Sequence, residues 1–274
     1  MIEAEDVYFI YPSGVEALRG VSVEIADGEF VAIMGQNGAG KTTLVKHFIG
    51  LLKPTKGRVL VDGVDTRSVS VAQLARKVGF VFQNPDHQLF SETVEEEIAF
   101  ALKNFGFNEE TIKERVDWAL NLLDLTQYRK TSPFMLSGGG RKRVALASVL
   151  AWDPKILILD EPTIGQDAYQ KEKLRHFIAH LNQQGKTVIV VTHDIEFVAE
   201  CEPRIILMAS GRIIADGDAR EALTDPALMK EASLIPPEIT QVFMRLNDLG
   251  FPRKVLGVYE AKRLIIERFR GRVV

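Results

Sequence analysis

The sequence contains a single cysteine, no long apolar run and little net charge. The one cysteine, Cys201, excludes an intramolecular disulfide and fits a reducing compartment. No stretch of about 18 apolar residues is present, so no segment is predicted to span a bilayer. A net charge of −3 gives no support to a general nucleic-acid-binding function, which usually requires a markedly basic surface. We therefore expect a soluble protein without a nucleic-acid partner, in which any membrane role depends on another subunit.

Apolar runs and helical patterns alternate along most of the 274 residues. Such alternation indicates an α/β domain with a largely parallel sheet. In sheets of this kind, ligands bind at the carboxyl ends of the strands. The buried strands that we expect cover residues 30–34, 78–82, 156–159 and 187–192.

Two stretches depart from this alternation. The first part of the chain is rich in β-forming residues, with short strands predicted at residues 7–11 and 21–25. Between about residues 93 and 152 the pattern is helical, and it starts with Thr93 and Glu96 at the spacing of a capping box. We interpret this second stretch as a helical subdomain inserted into the α/β core.

The chain changes character beyond residue 217. Pro236 and Pro237 introduce a helical pattern that Gly250 ends. The residues that remain are too few to form a strong core of their own. We therefore predict a main domain at residues 1–217 and an extension at residues 218–274 that docks on the main domain or on a partner.

A phosphate-binding loop is predicted at residues 35–42, Gly-Gln-Asn-Gly-Ala-Gly-Lys-Thr. It follows an expected strand and precedes a helical pattern that stops at Lys53 and Pro54, which is the context that this motif requires. Lys41 can neutralise charge on the β- and γ-phosphates, and the Thr42 hydroxyl can ligate Mg²⁺. The alternative is a glycine-rich turn between strand and helix. The predicted nucleotide contacts are Gly35, Asn37, Gly38, Gly40, Lys41, Thr42 and Thr43.

Polar side chains follow three of the other expected strands. Asp160 can hold the Mg²⁺ shell, and the adjacent Glu161 can orient and deprotonate a water molecule. His193 can contact the γ-phosphate, and Gln83 can reach Mg²⁺ or water. Each of these residues can also be purely structural. Asp160 and Glu161 can be a solvated acidic pair, His193 a structural histidine and Gln83 a polar loop residue. Tyr11 is an aromatic residue near a turn, for which packing is the default role.

A second glycine-rich segment lies at residues 136–140, Leu-Ser-Gly-Gly-Gly, just before a helical pattern. The free N–H groups at the start of such a helix, in Ser137, Gly138 and Gly139, form a site for an anion. A helix cap with flexible glycines is the alternative. One phosphate loop is enough to hold a nucleotide, so we expect the second segment to close over a nucleotide that another subunit holds.

Taken together, these motifs resemble the ATPase subunits of ATP-binding cassette (ABC) transporters over about residues 2–217. The resemblance implies that two chains, arranged head to tail, enclose two ATP molecules, and that each site takes residues from both chains. The matching features are the Walker A loop at residues 35–42, the Q-loop glutamine Gln83, the signature at residues 136–140, Asp160 and Glu161 of Walker B, the D-loop at residues 165–167, the switch histidine His193 and the adenine-stacking Tyr11.

Residues 82–90, 93–97 and 234–240 are similar, more narrowly, to the ATPases of energy-coupling factor transporters. That resemblance implies uptake of a vitamin or of cobalt or nickel ions. It also implies a transmembrane scaffold protein, a substrate-binding membrane protein and a peripheral location on the cytoplasmic face of the membrane. The second ATPase chain can be an identical copy or a paralogue.

Other classes of protein fit these motifs less well. Cassette ATPases of DNA repair carry long coiled-coil insertions, and those of translation carry two cassettes in one chain; neither feature occurs here. A phosphate-loop kinase or GTPase leaves residues 136–140 unexplained. Two departures from the family stand out, Gly140 for the usual glutamine and Gln166 for the common leucine. Both leave the Ser137 hydroxyl intact, so we expect its phosphate contact to persist.

Overall fold

The structure is a computed structural model that describes residues 1–270. The strands are β1 (Ile2–Ile10), β2 (Glu16–Ile25), β3 (Phe30–Met34), β4 (Lys56–Val61), β5 (Val64–Asp65), β6 (Val78–Val81), β7 (Ile156–Asp160), β8 (Thr187–Thr192), β9 (Arg204–Ala209) and β10 (Arg212–Asp218). The α-helices are α1 (Lys41–Phe48), α2 (Val71–Ala75), α3 (Val94–Phe105), α4 (Glu109–Leu122), α5 (Gly138–Leu150), α6 (Ala168–Gln183), α7 (Ile195–Cys201), α8 (Ala219–Leu223), α9 (Pro226–Glu231), α10 (Glu238–Arg245) and α11 (Val258–Arg270).

The strands form two sheets. The smaller sheet is antiparallel, in the order β2-β1-β4-β5. The larger has the order β10-β9-β3-β8-β7-β6 and is parallel except for the β9–β10 hairpin. Both the mainly parallel sheet and the β-rich first part were predicted from the sequence, and the structure confirms them.

The larger sheet is buried on both faces, which explains why its strands are continuous apolar runs. In β3, Ala32 and Met34 pack into a core shared with the helical layer of α3, α4 and α5. The alternate residues Val31 and Ile33 pack into a second core, shared with α1 and the smaller sheet. Because side chains alternate across a strand, each face needs its own apolar set.

Three neighbouring strands of this sheet end side by side. β8 pairs in parallel with both β3 and β7, so that Met34 lies opposite Thr192 and Asp160 lies opposite Val191. We call this the catalytic edge: the carboxyl ends of β3, β8 and β7 and the residues that directly follow them. The phosphate loop, Glu161 and His193 therefore meet here, as the sequence predicted.

Local signals in the sequence were accurate at some helix ends and inaccurate at others. The capping box before α3 is present, since Thr93 Oγ1 accepts the Glu96 N–H at 3.3 Å and Glu96 Oε2 accepts the Thr93 N–H at 3.1 Å. The predicted extent of the helix after the phosphate loop was wrong: α1 ends at Phe48 instead of continuing to Lys53. Gly50 adopts a φ of 70°, a left-handed conformation that ends helices.

The part of the chain beyond β10 contacts the main domain and also has a small core of its own. Leu223 and Met229 belong to the larger core. Arg220 donates to the Lys254 carbonyl at 2.8 Å and pairs with Glu260 at 2.8 Å, which ties α8 to the start of α11. The small core consists of Phe243, Phe251, Val255 and Ala261.

The proposed division of the chain at residues 217 and 218 stays a prediction. The last residues of the extension, 271–274, lie outside the described part of the chain. Within the described part, no helix is both long enough and apolar enough to cross a membrane.

Truncation of Phe243 tests how the small core holds the tail. Phe243 is fully buried, whereas Val242 on the same helix is half exposed. We expect Phe243→Ala to cost about 3–5 kcal/mol of local stability because the cavity cannot be refilled by so few neighbours. Hydrogen exchange of residues 238–264 should show the loss, and Val242→Ala is the control. Equal protection in the two variants would contradict this packing.

Candidate nucleotide-binding site

The phosphate loop passes close to neighbouring backbone at two glycines. Gly35 has a φ of 146° and Gly40 a φ of 104°, conformations that favour glycine. A Cβ on Gly35 would lie 2.2 Å from the Met208 carbonyl oxygen, and one on Gly40 would lie 2.6 Å from that of Ala17. The loop can therefore take this path only with glycine at both positions. The loop leads directly into α1, and the free N–H groups at the start of this helix favour the binding of a phosphate.

Lys41 is folded under the loop that precedes it. Its Nζ donates to the Gly35 carbonyl at 2.8 Å and to the Gln36 carbonyl at 3.1 Å. Burial lowers the pKa of Lys41, and the negative charges of Glu161 and Asp160 partly offset that effect. The ammonium group is thus held next to the loop with two acceptors that a phosphate can replace.

Thr42 and Asp160 link the phosphate loop to the end of β7. The Thr42 hydroxyl lies 3.1 Å from each carboxylate oxygen of Asp160. Burial raises the pKa of Asp160 to about 6, with a further contribution from Glu161, while the Thr42 hydrogen bond acts in the opposite direction. A bound cation would favour the ionised carboxylate.

Glu161 is held by residues at and just after the end of β8. Its Oε1 lies 2.8 Å from His193 Nδ1, and its Oε2 accepts the Thr192 hydroxyl at 3.2 Å. Its own N–H donates to the Val191 carbonyl at 2.7 Å. Glu161 has a φ of 50°, which is uncommon for a residue with a side chain. Strained backbone of this kind persists only where the surrounding structure holds it in place. It is found mostly at functional sites.

Gln83 follows β6 and lines a cavity of about 260 Å³ together with Asp160 and Glu161. Within residues 1–270, no group of three or more histidine, cysteine, aspartate or glutamate side chains forms a metal cluster. A magnesium site does not need one, because Mg²⁺ is typically held by one or two carboxylates together with substrate phosphates. The oxygen atoms of Thr42, Gln83 and Asp160 fit that requirement.

Tyr11 lies against α1. Its hydroxyl is 2.9 Å from the Thr43 hydroxyl, and its ring packs edge-to-face on Phe9, with 4.8 Å between centroids. The Tyr11 side chain is thus held next to the start of α1, where the phosphate loop ends.

The segment at residues 136–140 does not share the site of its own chain. Among the described residues, the Ser137 hydroxyl accepts the Gly140 N–H at 3.2 Å, and no hydrogen bond joins it to the phosphate loop. Ser137 and Gly138 are exposed at the start of α5. A Cβ on Gly140 would lie 2.9 Å from that of Leu136, so the loop is packed tightly around the glycine that departs from the family pattern.

Sequence reasoning missed two side chains near Glu161. Thr192 donates to the Glu161 carboxylate, and its place at the end of a strand next to His193 was a usable signal. Lys142, on α5, lines the same cavity and donates to the Ile164 carbonyl. Burial lowers its pKa, against the opposing charge of Glu161. The sequence carried no signal for Lys142, because its position depends on how α5 packs.

Comparison with known proteins agrees with this geometry. Residues 18–164 match the family model described as ABC transporter. An energy-coupling factor transporter ATP-binding protein, EcfA2 of Clostridium perfringens, is 39% identical over 98% of this chain and 99% of its own length. A second, EcfA of Methanothermobacter thermautotrophicus, is 42% identical over 92% of this chain and 81% of its own. The chain belongs to the ABC transporter family and is one of its ATP-binding cassettes.

Solved structures support the same conclusion. CbiO1 of Clostridium perfringens, part of the ABC transporter complex CbiONQ, has a TM-score of 0.75 and 36% identity, covering 91% of this chain and 96% of its own. A dimeric ATP-binding cassette in a post-hydrolysis state, bound to ADP and phosphate, has a TM-score of 0.73 and 34% identity, covering 80% and 99%. The phosphate-loop ATPase fold and the ATPase class predicted from the sequence are confirmed.

Several relatives are longer than this chain. Three ABC transporter ATP-binding proteins are 45% identical to it, and the chain spans 40–43% of their length.

The raised pKa of Asp160 predicts how pH affects the stability of the nucleotide-free chain. A carboxyl whose pKa rises from 3.8 to about 6 on folding stabilises the folded chain when protonated, and this contribution is lost as pH rises through 6. Such a shift corresponds to about 3 kcal/mol. Without Mg²⁺ and nucleotide, we therefore expect Asp160→Asn to be more stable than the parent at pH 8 and to lose that advantage below pH 5.

Urea unfolding between pH 4 and 8 measures this difference. Asp248→Asn is the matched control, since Asp248 is exposed in the tail. A gain in stability that does not vary with pH would contradict the assigned environment of Asp160.

Proposed function

We propose that this chain is the ATP-hydrolysing subunit of an energy-coupling factor type importer and that it works as a head-to-tail dimer. The observation that carries the proposal is the separation of two anion sites. The phosphate loop, Asp160 and Glu161 lie together at the catalytic edge, whereas Ser137 lies exposed at the start of α5. Each nucleotide is then bound by the catalytic edge of one chain and by Ser137, Gly138 and Gly139 of the other.

The phosphate loop holds the phosphates of ATP in this proposal. The backbone N–H groups of the loop and of the start of α1 face the phosphate oxygens, and Lys41 neutralises charge on the β- and γ-phosphates. Tyr11 stacks on the adenine, and its hydroxyl lies 2.9 Å from the Thr43 hydroxyl. The residues assigned to nucleotide binding are Tyr11, Gly35, Asn37, Gly38, Gly40, Lys41, Thr42, Thr43, Ser137, Gly138 and Gly139.

Thr42, Asp160 and Gln83 are the residues assigned to hold Mg²⁺. Their oxygen atoms suit this hard cation, and the Thr42–Asp160 contact already brings two of them together. When bound, the ion neutralises charge on the β- and γ-phosphate oxygens.

Glu161 acts as the general base. Its carboxylate orients a water molecule and accepts a proton from it as the water oxygen attacks the γ-phosphorus, and ADP and phosphate are released. His193 and Thr192 hold the carboxylate at 2.8 and 3.2 Å, so the base is oriented before ATP arrives. His193 in turn is assigned to the γ-phosphate. Gln83, which lines the same cavity as Glu161, is assigned to Mg²⁺ or water.

Transport is assigned from relatives whose names describe energy-coupling factor transporters. The partners are a second ATPase chain, a transmembrane scaffold protein and a substrate-binding membrane protein at the cytoplasmic face of the membrane. The cargo is a vitamin or a transition-metal ion. The tail beyond residue 217 is assigned to contacts between the two ATPase chains.

Replacement of Glu161 tests the assignment of the base. General-base catalysis typically contributes about 10²–10⁴-fold. We therefore expect Glu161→Gln to lose nearly all turnover while still binding ATP and forming ATP-dependent dimers, measured by phosphate release and by size-exclusion chromatography. Glu202→Gln is the control, because Glu202 is an exposed glutamate that lies far from Glu161 in the sequence. Near-normal hydrolysis in Glu161→Gln would refute the role of Glu161.

Association with membrane proteins tests the transport function. When the native complex is solubilised in detergent and captured through this chain, we expect it to retain a transmembrane scaffold and a substrate-binding membrane protein, identified by mass spectrometry. Capture after a high-salt wash of the membranes is the control for loosely adsorbed protein. Recovery from the soluble fraction alone, with no membrane partner, would refute the transport assignment and leave the ATPase assignment standing.

A further inference from the structure

The His193 side chain makes a single hydrogen bond within the described part of the chain. Its Nδ1 lies 2.8 Å from Glu161 Oε1, and the side chain is 47% exposed. The direction in which the imidazole points therefore depends on the turn that carries it. Thr192 ends β8 before this turn, and Asp194 follows it as the N-cap of α7.

The turn is fastened on both sides of His193. The Asp194 N–H donates to Thr192 Oγ1 at 3.0 Å, which bridges the two neighbours of the histidine. Asp194 Oδ1 accepts the Phe197 N–H at 3.1 Å and so caps α7. The second carboxylate oxygen, Oδ2, is left for a group outside the turn.

That group is the ammonium of Lys171, on α6. Lys171 Nζ donates to Asp194 Oδ2 at 2.5 Å. The Asp194 side chain is 17% exposed, and within residues 1–270 no other carboxylate that pairs with a lysine or an arginine is so little exposed. Burial opposes ionisation of Asp194, but hydrogen bonds, the largest contribution coming from Lys171, hold the pKa of this carboxyl below its ordinary value. The contact is therefore stronger than an ion pair in open solvent.

The place of Lys171 in the sequence is unfavourable for a lysine. It lies in the first turn of α6, which begins at Ala168, close to the positive end of the helix dipole. Helix formation therefore does not account for a cation at this position. The tertiary contact with Asp194 does, because it ties the start of α6 to the turn that carries His193.

We infer that Lys171 and Asp194 are positioning residues for His193. Through their ion pair, α6 holds the turn so that the imidazole stays directed at the γ-phosphate. This inference rests on the role assigned to His193 in the proposed function. Because ADP has no γ-phosphate, the pair should affect the binding of ATP and leave the binding of ADP unchanged.

The ratio of two affinities measures this effect. A non-hydrolysable ATP analogue and ADP are each titrated into the full chain with Mg²⁺, by isothermal titration calorimetry. His193→Ala gives the size of the γ-phosphate contact, and hydrogen bonds to charged groups are typically worth about 10- to 100-fold. We expect Lys171→Met to weaken binding of the analogue roughly tenfold with ADP affinity unchanged. Lys171→Arg keeps the charge and should keep most of the ratio.

Two further variants serve as control and as counterpart. Lys173→Met is the matched control, since Lys173 is exposed on the same helix and pairs with the exposed Asp124 at 3.4 Å. It should leave both affinities unchanged. Asp194→Asn removes the charge that Lys171 meets, while asparagine remains a good N-cap for α7. It should reproduce the effect of Lys171→Met.

A double-mutant cycle separates positioning from general support of the fold. In a chain that already carries His193→Ala, no imidazole remains to be oriented. Lys171→Met should then cause no further loss of analogue affinity. A further loss of similar size in that chain, or a loss of ADP affinity in Lys171→Met alone, would overturn the inference.

The remaining outcomes identify which assignment fails. An unchanged ratio in His193→Ala would refute the γ-phosphate role of His193 together with the inference. A lower ratio in His193→Ala but not in Lys171→Met would refute the inference alone. A loss in Lys171→Met that Asp194→Asn does not reproduce would show that Lys171 acts on the nucleotide directly, which also contradicts a positioning role.

Discussion

The parallel register of β3, β8 and β7 is the constraint on which the rest of the site depends. Met34 lies opposite Thr192, and Asp160 lies opposite Val191, so three strands end at one edge. Residues far apart in the chain are thereby brought within hydrogen-bond distance of one another. A slip of one residue in any of these strands would turn its side chains to the other face of the sheet and separate the phosphate loop from its carboxylates.

The catalytic edge concentrates charges in a place that is otherwise apolar. Lys41, Asp160 and Glu161 are all buried there. Burial disfavours the charged form of Lys41 and of Asp160. The cost is reduced by hydrogen bonds from Thr42 and Thr192. In the proposed function, nucleotide and cation would supply the remaining counter-charges.

The proposed site is divided between two chains, so its two parts must be coordinated. The catalytic edge belongs to the sheet, whereas the signature belongs to α5 in the helical layer. The segment from Gln83 to Ser91 crosses from one to the other. It is attached to α5 through Asp86 and Gln88, and Glu97 of α3 accepts the Phe90 N–H. These polar links join the helical layer to the sheet in addition to the apolar core that the two share. The same side chains lie in a stretch that resembles energy-coupling factor ATPases.

The sequence by itself determined the fold class, most strands and the residues at the catalytic edge, because these follow from local chemistry. A strand buried on both faces must be apolar throughout, and a phosphate loop must carry glycine where a Cβ would strike backbone, as at Gly35. The sequence did not determine the early end of α1, the place of Lys142 or the links made by Gln88. Only the tertiary structure decided those, because each depends on which surfaces of distant elements come into contact.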